Sequence, residues 1–259
     1  DDSRKLNDAY LRIGDCFYVD KKYTQAIDFY NRAISLNELG SDYAMYQKGI
    51  CQGLSGDVDS KISTLNRIIN SDSKGRYVLD SKFEIAETYR IIDNDSKALG
   101  TYLGIIETNP GSQYAKRSLK NIVFLHRRQG NNTEALAAFD QITEKYSSDK
   151  VMNEALQLVK DIYIQERGLS AYNSLVTGNP ILDVTAASID STAYQVALDS
   201  YFDMSYSRAK DSFEEYIGQF DPGLFSVEAH YYLAEIYFEE GAKTKALANY
   251  NFVITQPVS

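Results

Sequence analysis

One helix-pair phrase returns along the whole chain every 35 to 37 residues, and no other feature constrains the fold as tightly. It reads Ala26-Ile27-Asp28-Phe29-Tyr30, then Ala98-Leu99-Gly100-Thr101-Tyr102, Ala135-Leu136-Ala137-Ala138-Phe139 and Ala246-Leu247-Ala248-Asn249-Tyr250. A small residue followed four positions later by an aromatic puts both on one helix face. Gly56, Gly130 and Gly241 are separated by 74 and 111 residues, two and three periods of 37. A 259-residue chain organised in this way has no single core to outgrow, because each repeat buries its apolar stripe against its neighbours. Such arrays bind partners more often than they catalyse.

Charge and cysteine content narrow the function classes. A net charge of -9 argues against a general nucleic-acid binder, which needs a basic surface to neutralise phosphates. Cys16 and Cys51 form no CxxC and lie 35 residues apart, at the same place in consecutive repeats. Equivalent helices pack about 8–10 Å apart, whereas a disulfide needs Cα atoms about 4.4–6.8 Å apart. Two buried thiols are therefore expected, not a bridge. No run of 18 apolar residues predicts a transmembrane segment. The start at Asp1, with no signal peptide or initiator methionine, suggests a processed protein or an excised fragment.

In the first repeat, Tyr10, Ile13, Gly14, Phe17, Ala26, Tyr30 and Ala33 follow helical spacing. These residues resemble the tetratricopeptide repeat, whose consensus of about 34 residues has a bulky aromatic, Leu-Gly, Tyr, Ala, Phe, Ala and a closing Pro. Glu38 stands where the proline would close the unit. The third repeat keeps Ile85, Ala86, Tyr89, Ala98, Tyr102, Ile105 and Pro110, and the seventh keeps Leu233, Ala234, Tyr237, Ala246, Tyr250 and Val253. The second puts Lys61 in the small-residue slot, and the fourth has His126 where an aromatic is expected. The resemblance implies an all-α, right-handed α-α superhelix of about seven helix pairs.

The fifth unit departs from the pattern. Ala155 to Gln165 and Leu169 to Val176 read as its helices, Gly168 falls one residue out of step, and Gly178-Asn179-Pro180 stops the second helix. The expected organisation is an N-terminal array over 1–177, a loop or hinge over 178–189, and a C-terminal array over 190–259. Asp190, Ser191 or Thr192 would cap the helix that opens the second array. The last helix ends at Val253-Ile254-Thr255-Gln256-Pro257 without a polar capping helix, so this end is expected to continue or to self-associate.

The stretch from Ala193 to Ile254 is similar to bacterial envelope repeat proteins of the outer-membrane-assembly and Tol-associated kind. The residues behind this likeness are the break Gln219-Phe220-Asp221-Pro222-Gly223 and the opening Ala229-His230-Tyr231-Tyr232-Leu233-Ala234. The likeness implies a periplasmic or outer-membrane-associated location, with a cytoplasmic adaptor as the alternative.

No catalytic constellation, P-loop or HExxH motif is present, and no metal or cofactor is expected. Candidate partner-binding residues lie on first-helix faces. Arg117, Lys120, Phe124, Arg127 and Arg128 form one stripe, with Lys116 and His126 beside it and no acid between Gln113 and Asn132. This stripe reads either as a pocket for a partner's carboxylates or as a solvated face paired with Glu84 and Glu87. Tyr18, Tyr43, Tyr46 and Phe83 early in the chain, and Tyr194, Tyr201, Tyr231 and Phe238 late, read either as peptide-docking aromatics or as packing between repeats. The two-carboxylate clamp of co-chaperone members does not carry over, because Asp8, Asp15, Tyr46 and Glu87 stand where it wants basic or amide groups. From Asp190 to Gly241, eleven acids face only Arg208 and Lys210. The resulting expectation is a non-enzymatic scaffold that holds a protein or peptide segment in a concave groove. A regulatory, non-catalytic segment of a larger enzyme is the alternative from another class.

Overall fold

The computed structural model describes residues 2–71, 75–220 and 222–256. Asp221 of the 219–223 break and Pro257 of the C-terminal run lie outside them, as does Asp1. The described residues form fourteen helices and no strand, which makes seven helix pairs. In order these are α1 (Asp2–Val19), α2 (Tyr23–Leu36), α3 (Ser41–Leu54), α4 (Val58–Ser71), α5 (Val78–Ile91), α6 (Asp95–Thr108) and α7 (Gln113–Arg128). They continue as α8 (Asn132–Lys145), α9 (Lys150–Arg167), α10 (Leu169–Thr177), α11 (Ala186–Phe202), α12 (Tyr206–Phe220), α13 (Ser226–Glu239) and α14 (Lys243–Thr255). The chain divides into two compact units, Asp1–Leu125 and His126–Ser259. In the first, each helix from α1 to α6 packs on the next. In the second, α8 packs on α9, α9 carries both α10 and α11, and α11 to α14 pack in sequence.

The repeating phrase is the core. Ala26, Tyr30 and Ala33 on α2, Ala98, Tyr102 and Ile105 on α6, Ala135, Phe139 and Ile142 on α8, and Ala209, Phe213 and Tyr216 on α12 have no solvent exposure. Close approach explains the glycine on α1 and on α3. A Cβ on Gly14 would lie 2.6 Å from the Tyr30 ring, and one on Gly49 would lie 2.9 Å from Leu65. The second repeat accommodates Lys61 in its alanine slot by a local exchange. Gly53 leaves room for the lysine stem, since a Cβ there would meet Lys61 Cδ at 2.6 Å. The ammonium then reaches Glu84 on α5 at 2.8 Å.

The turn within each pair is also periodic, beyond what the glycines reveal. One residue with positive φ occupies it in all seven pairs: Lys21, Gly56, Asp93, Gly130, Gly168, Met204 and Gly241. Glycine takes this conformation without steric cost, and the other three residues are held in it by the helices on either side. Gly168 differs in joining α9 to α10 with a single residue, which accounts for its step out of register.

Two expectations are corrected. Cys16 is exposed on α1 while Cys51 is buried, and both are free, so the equivalent sequence slots are not equivalent in burial. Burial pushes the Cys51 thiol up to about 11. The sixth pair opens at Ala186, four residues before Asp190, because Thr185 caps it by accepting from the Ser188 amide at 3.2 Å. Asp190 is instead a buried acceptor, taking the Tyr216 hydroxyl at 2.7 Å and the Leu224 amide at 2.9 Å.

Candidate functional site

In the first unit, the first helices bring together side chains spaced about one repeat apart. Asp15 on α1 accepts hydrogen bonds from Tyr30 on α2 at 2.9 Å and Tyr43 on α3 at 2.7 Å. Gln47 donates to the same Tyr43 hydroxyl at 3.1 Å. Burial, then the bond to Asp15, pushes the Tyr43 phenol up to about 12. Tyr77, just before α5, stacks on Tyr46 with ring centroids 5.1 Å apart and leans on Tyr43 at 6.1 Å. Arg76 lies 5.5 Å over the Tyr77 ring. Between them opens a cleft of about 590 Å³, with Asp8, Arg12 and Asp15 of α1, Asp42 and Tyr43 of α3, and Arg76 and Tyr77 on its walls. That volume is in the usual range of ligand sites, roughly 300–1,000 Å³. Neither Arg76 nor Tyr77 was expected here. For Tyr77 the signal was a 37-residue echo, Tyr77 to Tyr114, at the start of successive first helices.

The same echo shows in the packing of three predicted groove aromatics. Tyr46 and Tyr194 stack on Tyr77 and Phe225 at 5.1 and 4.5 Å, and Phe83 tilts against Tyr114 at 5.1 Å, each partner 31 residues further on. Each is a staple between consecutive repeats. Phe83 and Tyr194 are buried, at 2% and 7% exposure, so they offer no docking surface. Tyr46 is half-buried. Tyr18 is half-buried beside Tyr23, with centroids 6.3 Å apart.

The basic stripe on α7 is consumed in part by the fold. Arg117 is exposed and lies 4.2 Å over the Phe83 ring, closing that staple from outside. Phe124 is half-buried and carries the Arg90 guanidinium at 5.7 Å. Arg127 belongs to the second unit, where it donates to the Leu158 carbonyl at 3.0 Å, to Asn132 at 3.2 Å and to Asp161. Those bonds tie the end of α7 to α8 and α9. Lys120 is half-buried and Arg128 exposed. Glu84 pairs with Lys61, and Glu87 accepts from Arg90 at 2.8 Å, from Asn121 and from Tyr102.

In the second unit, Tyr201, Tyr206, Glu235, Ile236, Glu239 and Glu240 line a cleft of about 410 Å³ between the α11–α12 turn and α13. The Tyr201 ring meets Tyr206 edge-on at 5.4 Å and Tyr232 at 4.9 Å. Tyr231 is 44% exposed and lies edge-on to Tyr232 at 5.5 Å, and Phe238 is 58% exposed. Among the described residues, no group of three or more His, Cys, Asp or Glu side chains converges as metal ligands. Among the same residues, no helix is long and apolar enough to cross a membrane.

Family models described as tetratricopeptide repeat match residues 8–37 and 43–74, and a second such model matches 205–251. Tetratricopeptide repeats are thus recognised over residues 8–37, 43–74 and 205–251. These matches fall on α1 to α4 and on α12 to α14. No curated protein matches the sequence. Among solved structures, the chain is similar to a tetratricopeptide repeat protein from Parabacteroides merdae, with a TM-score of 0.55 and 13% identity over 98% of this chain and 94% of that one. It is also similar to the C-terminal part of a repeat-containing protein from Cytophaga hutchinsonii, with a TM-score of 0.52 and 18% identity over 95% and 94%. A chain in the structure of Naa15/Naa10 bound to HypK-THB aligns with a TM-score of 0.59 and 14% identity, over 96% of this chain and 37% of that one. At these identities the likeness establishes the fold, an α-α solenoid of tetratricopeptide type. Tetratricopeptide repeats are protein-interaction scaffolds, and neither matching model describes a catalytic family.

Proposed function

We propose that the chain holds an extended segment of a partner protein against the first-helix faces of its tetratricopeptide repeats, without covalent change, in a bacterial cell envelope. The observation that carries the binding reading is the cleft of the first unit, which draws Asp15, Tyr43 and Tyr77 from three consecutive repeats onto one surface. Helix-pair arrays gain affinity in this way, by presenting one side chain per repeat to a long ligand. Arg12 and Arg76 on the cleft walls supply bidentate donors for a carboxylate, while Tyr43 and Tyr77 supply rigid contact area at low entropic cost. The envelope location rests on the sequence style of residues 193–254.

The test is selection of peptides from a random display library on the purified chain, followed by affinities for wild type and Arg76→Glu. The account expects binders that weaken about tenfold or more in the variant, as loss of a charged hydrogen bond would give. Binders indifferent to Arg76→Glu, to Tyr77→Ala and to Arg117→Glu would refute docking on this face. Location is read separately, by fractionating cells that express the full gene; recovery with the cytosol would overturn the envelope reading.

A further inference from the structure

We propose that the second unit has its own specificity site, in which the cleft between the α11–α12 turn and α13 takes the cationic side chain of a lysine or arginine from a basic partner segment. This inference rests on the scaffold reading above and names the chemistry of one of its contacts. The cleft combines two elements that suit an organic cation. Its aromatic wall is Tyr201 with Tyr206, a residue 47% exposed whose ring lies edge-on to Tyr201 at 5.4 Å. An ammonium or guanidinium over a tyrosine face is attracted by the ring quadrupole. Its opposite wall is acidic, with Glu235 and Glu239 four residues apart on one face of α13 and Glu240 just beyond. Glu240 is bridged to Lys210 at 2.7 Å, whereas no ion pair engages Glu235 or Glu239 among the described residues. Glu235 is held in place by the Tyr250 hydroxyl, which donates to it.

Charge complementarity decides the occupant. The surrounding segment, Asp190 to Gly241, carries eleven acids against Arg208 and Lys210. An acidic or neutral peptide would meet repulsion or uncompensated desolvation there, while a basic one is drawn in. A metal ion fits poorly, since no three ligand side chains converge among the described residues. Lys210 bridged to Glu240 at the rim gives an internal precedent for an ammonium beside this wall.

The experiment titrates a capped oligolysine peptide into the whole chain at physiological ionic strength, where a Debye length of about 8 Å damps diffuse attraction. Wild type is compared with Tyr206→Ala, Tyr206→Phe, Glu239→Gln and Asp28→Asn. Tyr206→Ala keeps the net charge and removes an exposed ring, and Asp28→Asn makes the same charge change as Glu239→Gln on α2. Circular dichroism confirms that each variant is folded. The expected result is an affinity drop of about fivefold or more for Tyr206→Ala and for Glu239→Gln, with Tyr206→Phe and Asp28→Asn unchanged. Equal binding by Tyr206→Ala, or equal losses for Glu239→Gln and Asp28→Asn, would reduce the effect to net charge and overturn the site. No oligolysine binding, while library-selected peptides still bind the first unit, would overturn this inference and leave the scaffold reading standing.

Discussion

Tyr30 donates its phenolic hydrogen to Asp15, 2.9 Å away and fifteen residues earlier in the chain. The same fifteen-residue bond recurs from Tyr102 to Glu87 and from Tyr250 to Glu235. Where the second-helix position is apolar, as at Leu65 and Phe213, the residue fifteen earlier is apolar too, Ile50 and Leu198. The pairing is a swap of chemistries. A buried hydroxyl comes with its acceptor, or both polar groups are absent, because an unpaired buried hydroxyl is costly.

This gives the first prediction. Phe213→Tyr buries a hydroxyl beside an apolar slot and is expected to cost about 1–2 kcal/mol in urea unfolding. Adding Leu198→Glu supplies the acceptor found in the other repeats and is expected to recover most of that loss. A double variant no more stable than Phe213→Tyr would show that the pairing is not transferable.

The tyrosines also set an alkaline limit. Burial, followed by the bond to a carboxylate, raises the phenols of Tyr30 and Tyr102, and it pushes Tyr43 and Tyr114 up to about 12. The neutral phenol is the form the fold favours, so above the ordinary value of 10.0 the unfolded chain loses these protons first. Their contribution is therefore complete below pH 10 and is lost as pH rises through the folded values. Stability is expected to stay level to about pH 10 and then to fall, by at most about 1.4 kcal/mol per pH unit for each buried tyrosine. Urea midpoints with tyrosinate absorbance check this, and a level midpoint through pH 12 would contradict it.

Two glycines in helices should respond with opposite signs. Gly14→Ala places a methyl 2.6 Å from the Tyr30 ring and is expected to destabilise by about 1–3 kcal/mol. Gly100→Ala on α6 meets nothing within 4 Å and is expected to stabilise by about 0.5–1 kcal/mol. Thermal or urea melts of the two variants decide the matter.

Arg127 should act on stability and not on recognition. Its side chain is 30% exposed and its donors reach Leu158, Asn132 and Asp161. Arg127→Ala is expected to cost about 1–2 kcal/mol, discounted for solvent at the Asp161 end. Peptide affinity at the first-unit cleft is expected not to change. A variant of wild-type stability with weakened peptide binding would place Arg127 on the docking surface.

The helical array was legible in the sequence because the Ala26, Ala98, Ala135 and Ala246 slots are set by burial, which a spacing records directly. Pair boundaries were legible where a stop signal stood, as at Gly178, and were missed where an unremarkable Thr185 supplied the cap. The candidate site was harder to read, because aromatic residues serve both stapling and docking. Phe83 and Tyr194 occupy the staple slot, and only the position of Tyr114 and Phe225 above them separates the two roles. Lys21, Asp93 and Met204 hold a turn whose geometry belongs to the repeat and not to their own preference, so no local signal marked them.

The most direct test of the scaffold account is backbone amide shift mapping of the chain with a library-selected peptide. The account predicts that the largest changes cluster on α1, α3 and residues 76–77, around the Asp15, Tyr43 and Tyr77 cleft. Changes confined to the outward faces of α2 and α4, with that cleft silent, would contradict it.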